Sequence, residues 1–138
     1  MLSRRTFSAC AICALTGFAA TAVGETEAQA QTTSGVKRTV LEKAEFPDNY
    51  LTVTVLGEIE PGVSVARHTH PGVETAYILD GELDLYVQGQ PARRLKAGDT
   101  YLVAREVPHS GRAGDKPVKV VGTYVVEKDK PLASPAPE

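Results

Sequence analysis

The sequence predicts a single all-β domain, a small barrel or sandwich built from short strands. Three observations lead there. Between residues 40 and 127, short runs of alternating apolar and polar residues follow one another. Gly, Pro and Asp-Gly punctuate those runs, and no apolar period of 3.6 residues persists beyond a turn or two. The whole chain has 138 residues, the length of one domain, and shows neither an internal repeat nor a second unit.

In chain order, residues 1–30 read as a cleaved export signal peptide. Ser3-Arg4-Arg5-Thr6-Phe7 precedes an uncharged apolar run from Ala9 to Val23, and Ala28-Gln29-Ala30 offers a small-x-small cleavage site. The run is shorter than the ~20 residues of a bilayer span, so no stable membrane anchor is expected. The paired arginines resemble a twin-arginine signal, and they predict a periplasmic or secreted protein. Cys10 and Cys13 lie inside this segment and would leave with it, so the mature chain carries no disulfide.

Residues 31–39 are polar and small at their start, and are expected to form a flexible leader. The barrel is expected over 40–127. Leu51 to Leu56 alternates, and Val63 to His70 is β-branched and extended. Thr75 to Leu79 and Glu82 to Val87 flank Asp80-Gly81, which predicts a hairpin. Gln88-Gly89-Gln90-Pro91 is a further turn before Ala92 to Leu95, and Thr100 to Ala104 and Val118 to Glu127 complete the series. Residues 128–138, rich in Pro and Ala, are expected to be a disordered tail.

The formal net charge is -2 and there is no basic stripe, which argues against nucleic-acid binding. The informative stretch is Gly62-Val-Ser-Val-Ala-Arg-His68-Thr-His70-Pro-Gly-Val-Glu74. On a strand, residues i and i+2 share a face, so His68 and His70 would project together. The Pro71-Gly72 turn would return Glu74 beside them. Alternation would place Ser64 and Ala66 on the histidine face, leaving room there, with Val63 and Val65 packed the other way. His109, the one remaining histidine, follows another strand-like run. His68, His70, Glu74 and His109 are therefore candidate metal ligands.

These residues resemble the cupin superfamily. Its first motif, G-x5-H-x-H-x3-E-x6-G, is matched at every fixed position by Gly62, His68, His70, Glu74 and Gly81. Its second, G-x5-P-x-G-x2-H-x3-N, is matched by Gly98 and His109, with Ala104, Glu106 and Ala113 standing where Pro, Gly and Asn are usual. The resemblance implies a single-domain jelly-roll β-barrel that holds one divalent metal on His68, His70, Glu74 and His109.

Imidazole and carboxylate ligands suit Mn, Fe, Co, Ni, Cu or Zn, and the set does not choose among them. Four protein ligands on an octahedral ion leave positions for water, O2 or substrate. The expectation is a metal-dependent enzyme, dioxygenase-like, acting on a small organic molecule; isomerase and lyase chemistry fit the same ligands. A non-catalytic binding or sensing barrel is the alternative. Glu106 reads as a loop charge paired with Arg105, or else as a base near the metal. Arg67 should turn away from the metal, Tyr77 should be core or interface, and Tyr50 and Tyr101 are candidate pocket residues. The resemblance also implies a homodimer, since small cupins commonly pair through sheet edges and so cover exposed strands.

Overall fold

The computed structural model describes residues 30–137, all of whose regular elements are strands. The expected signal segment lies outside the described residues, except for Ala30. No helix among the described residues is long and apolar enough to cross a membrane.

The strands are β1 (Ala30–Thr33), β2 (Val36–Phe46), β3 (Tyr50–Ile59), β4 (Ser64–Thr69), β5 (Gly72–Asp80), β6 (Glu82–Val87), β7 (Arg93–Lys96), β8 (Thr100–Val103), β9 (His109–Ala113), β10 (Val118–Glu127) and β11 (Ser134–Pro135). They form two antiparallel sheets. One is six-stranded in the order β1-β2-β3-β10-β5-β8, and the other is five-stranded in the order β11-β4-β9-β6-β7. This interleaving of distant strands in two facing sheets is a jelly roll.

Alternation sets the faces. Along β5 the even-numbered residues from Gly72 to Ile78 are buried and the odd-numbered ones exposed. Along β6, Leu83, Leu85 and Val87 turn inward. With Val36, Ile59, Ile78, Leu95, Val103, Ala113 and Val118 they make the core between the sheets. Each large aliphatic side chain fully buried there contributes about 1.5–3 kcal/mol, and this is the main stabilising term in a barrel with no cysteine.

Several expectations are corrected. Asp80-Gly81 does not close a hairpin: β5 pairs with β8 and β10, whereas β6 pairs with β7 and β9. The chain crosses between sheets there instead. Gly81 has φ +80°, and a Cβ on it would lie 2.2 Å from the Pro117 carbonyl oxygen, so both the turn and the close approach require glycine. The 88–92 turn does close a hairpin, with the Gln90 amide bonded to the Val87 carbonyl at 3.0 Å.

Residues 31–39 are not a loose leader. Thr32 and Thr33 pair with Lys37 and Val36, and β2 continues along β3. The tail is also placed: Ser134 and Pro135 pair with Thr69 and His68, and the Ala136 amide donates to the Arg67 carbonyl at 3.1 Å. Its Pro and Ala content does not prevent this. An edge strand can carry Pro where no ladder hydrogen bond is needed.

Candidate metal centre

β4, β5 and β9 bring the three histidines and Glu74 together inside the barrel. The path of β4 differs from strict alternation. Val65 lies opposite Gly111 and His68 opposite His109, so β4 uses one residue more than β9 over this interval. A bulge of this kind resets the inward face. Val65 therefore packs on the core and His68 also points inward, while Ser64 and Ala66 are exposed. Ser64 and Ala66 nevertheless line the space beside the histidines, together with Gly111.

One candidate ligand atom from each of His68, His70 and His109 lies within 4.8 Å of the others. The ring centroids are 4.2 to 5.1 Å apart. Each Nδ1 faces a backbone carbonyl: His68 to Ala66 at 2.8 Å, His70 to Leu132 at 2.6 Å and His109 to Val107 at 3.0 Å. A carbonyl only accepts, so each Nδ1 carries its proton and donates it. In the neutral ring this leaves Nε2 as a lone pair, the form that binds a metal.

Glu74, on β5, completes the cluster. Its Oε2 is 3.1 Å from His109 Nε2 and 3.2 Å from His70 Nε2. Its Oε1 accepts hydrogen bonds from Tyr101 at 2.9 Å and Tyr124 at 3.0 Å. The two phenols thus occupy one carboxylate oxygen and leave the other facing the imidazoles. The His70 Nε2 is buried and has no hydrogen-bond partner, because its approach to Oε2 lacks hydrogen-bond geometry. Lone pairs from nitrogen and carboxylate oxygen facing one another in a dry interior call for a cation between them. The residues present fit a divalent metal ion.

The electrostatics agree with that fit. Burial pushes the His68 imidazole down to about 4, against a weaker pull from its carbonyl acceptor. Burial by itself would raise the Glu74 carboxyl. The close approach of the His109 and His70 rings outweighs it and holds the group well below the usual carboxylate range. Burial first, and then the charge of Glu74, keeps both Tyr101 and Tyr124 well above the usual phenol range, so both are neutral donors.

The cluster opens on a cavity of about 570 Å³. Val36, Val55, Ile59, Leu83 and Leu85 give it an apolar wall, and the C-terminal residues Leu132 to Pro135 help to close it.

Of the other residues singled out in the sequence, Tyr101 reaches the site and Tyr50 does not line the cavity. Tyr77 lies outward, neither core nor ligand. Glu106 is an exposed loop residue and is not paired with Arg105, which bonds Glu127 instead. Arg67 turns from the metal site as expected, donating to Gln88 at 2.6 Å and to the Pro137 carbonyl at 2.8 Å. Sequence reasoning missed Tyr124, although alternation along β10 puts it on the face of buried Val118 and Val126.

The cupin-domain signature matches residues 55–126. The chain belongs to the cupin family. Its similarity to characterised cupins is partial. A dimethylsulfoniopropionate lyase, DddQ from Ruegeria pomeroyi, is 30% identical in an alignment 89 residues long that covers 54% of this chain and 44% of that protein. The chain thus spans less than half the length of that relative. The DddQ crystal structure superposes with a TM-score of 0.67 at 21% identity over the wider aligned region, covering 79% of this cupin and 61% of DddQ. A variant oxalate decarboxylase from B. subtilis gives 0.68 at 16% identity, over 80% and 30%. KdgF from Halomonas sp. gives 0.60 at 21% identity, over 73% and 88%. At these identities the structural likeness is one of fold.

Proposed function

We propose that this cupin is an exported, metal-dependent enzyme that cleaves a bond in a small organic molecule. His68, His70, His109 and Glu74 would hold one divalent transition ion. The observation that carries the reading is the common locking of three Nδ1 atoms onto carbonyls, which leaves three Nε2 atoms bare in one cluster, those of His70 and His109 facing Oε2 of Glu74. A bound ion would supply Lewis-acid polarisation of a substrate oxygen. The chain's own residues do the rest. Tyr101 and Tyr124 hold the Glu74 carboxylate in one orientation, the apolar wall excludes water, and the two neutral phenols stand as proton-bearing groups beside the cluster.

This reading favours lyase-type chemistry over the dioxygenase-like reaction expected from the ligand set. The support is the lyase relative at 30% identity, together with hydroxyl-bearing side chains at the carboxylate. The discriminating experiment loads the protein separately with Mn, Fe, Co, Ni, Cu and Zn. Each form is incubated without O2 with dimethylsulfoniopropionate and a panel of short carboxylic acids, and products are followed by proton NMR. Anaerobic turnover supports the lyase reading. Turnover only with O2 uptake would restore the dioxygenase. Tight ligand binding with no turnover by any metal form would point to the binding barrel.

Export by the twin-arginine route belongs to the same proposal, on Arg4 and Arg5 ahead of the apolar run. Normal export of an Arg4→Lys, Arg5→Lys double variant would refute it. So does pairing with a second copy. Val73, Tyr77, Leu79, Leu102 and Val125 leave a contiguous apolar area on the outer face of the larger sheet, which a partner would cover.

A further inference from the structure

The site has a second charged feature, on a strand that the sequence did not reveal. Arg38 lies on β2, two residues from buried Val36 and on the same face, so it is directed toward the inside of the barrel. Its cross-strand neighbour on β3 is Gly57, which puts no side chain beside it. Arg38 and Gly57 both line the cavity that holds the three histidines. The guanidinium acts on the Tyr101 and Tyr124 phenols, so it shares their electrostatic environment.

The neighbouring cations have side-chain or backbone acceptors, and Arg38 has no carboxylate partner among the described residues. Lys37, on the opposite face of β2, pairs with Glu58 at 3.0 Å, and Lys119 reaches the same carboxylate at 3.7 Å. The other cavity-lining cation, Arg67, is held by Gln88 and the Pro137 carbonyl. Arg38 has no carboxylate within ion-pairing distance among the described residues. It is also exposed while lining the cavity, so its guanidinium is accessible to a ligand there. Among the described residues Glu74 is the one carboxylate lining the cavity, and it is committed to the histidines and tyrosines. A cavity with two arginines, one engaged carboxylate and a bound divalent ion has a net positive field and gathers anions.

We infer that Arg38 is a substrate-binding residue and that the ligand of this cavity is a small organic carboxylate, its carboxylate held at the rim by Arg38 while the remainder reaches inward over the apolar wall toward the histidine cluster. A guanidinium presents two parallel N–H donors that match a carboxylate, and an unpaired one facing a cavity is set up for that bond. The inference rests on the proposed function only in taking this cavity as the active site.

The test uses butyrate and its uncharged counterpart butyramide as probes, titrated by calorimetry into zinc-loaded and metal-free protein. Wild type should bind butyrate at least about tenfold more tightly than butyramide, the scale of one charge-assisted hydrogen bond. Arg38→Gln should abolish that preference without changing zinc content or melting temperature, and Arg38→Lys should retain part of it. Equal binding of the two probes by wild type, no binding of butyrate, or an undiminished preference in Arg38→Gln would overturn the inference. Failure to take up zinc would instead sink the metal-site reading. An Arg38-dependent preference in the metal-free protein would survive that failure.

Discussion

His70 Nδ1 donates to the Leu132 carbonyl at 2.6 Å, across 62 residues of chain. The acceptor belongs to the C-terminal segment, whose Ser134 and Pro135 run beside Thr69 and His68. The end of the chain is therefore part of the site, and it decides which nitrogen of His70 is left bare. Truncation after Lys130 should lower metal affinity about 10- to 100-fold, the range for losing a partner that orients a ligand. Competition with a chromophoric chelator measures it. Unchanged affinity would show the contact to be incidental.

Tyr101 and Tyr124 share one oxygen of Glu74. Tyr101→Phe and Tyr124→Phe should each weaken metal binding by up to about tenfold, and the double variant by more than either single one. Phe keeps the ring, so unfolding by urea should be little changed by comparison. Equal metal affinity in all three variants would mean that Glu74 is held by packing alone.

Protonation of the site has a definite sign. The folded His68 imidazole lies at about 4, below its ordinary value of 6.5, so the folded state binds fewer protons in between. Its contribution is complete above pH 6.5 and is lost as pH falls toward 4. Glu74, held below its ordinary carboxylate value, adds a loss that begins at lower pH, below about 4.5. The urea midpoint of metal-free protein should fall between pH 6.5 and 4, and His68→Gln should flatten that part of the profile. A His68 NMR titration centred near 6.5 would contradict the assignment.

Glu106 occupies a left-handed backbone conformation, φ +58°, while its amide donates to the His70 carbonyl at 3.0 Å. The usual glycine of the second cupin motif is thus absent here, but the conformation it serves is kept. Glu106→Gly should raise stability by about 0.5–1 kcal/mol, since relief of the left-handed cost exceeds the added freedom of the unfolded chain. That corresponds to a few degrees in melting temperature for a domain of this size. A lower melting temperature would show that the carboxylate makes a contribution of its own.

In ultracentrifugation at micromolar concentration the protein should sediment as a dimer. Leu102→Glu, which puts a charge on the apolar outer face, should convert it to monomer. A monomeric wild type would leave that face without the assigned role.

Much of the candidate site was legible because candidate metal ligands carry their chemistry in the side chain. His68, His70, Glu74 and His109 stand out by type and spacing, and alternation alone marks Leu83, Leu85 and Val87 as one face. The parts that were not legible have physical reasons. Leu132 contributes only its carbonyl, which every residue possesses. Arg38 was hidden because a short polar segment reads as leader until a partner strand is known to lie beside it. Asp80-Gly81 has the chemistry of a two-residue hairpin, but strand pairing is a long-range choice, and here it favours a passage between layers. Tyr124 was readable from β10 and was passed over.

The extra residue between Val65 and His68 gives meaning to the fixed interval from Gly62 to His68. Because the strand gains one step there, an odd count separates two side chains that both face indoors. At an interval of three, a strand without the bulge would force a choice: plain alternation sends either the hydrophobic valine or the imidazole outside. The distance between glycine and histidine in the motif thus holds one residue more than plain alternation needs, and the bulge that absorbs it keeps both compartments filled.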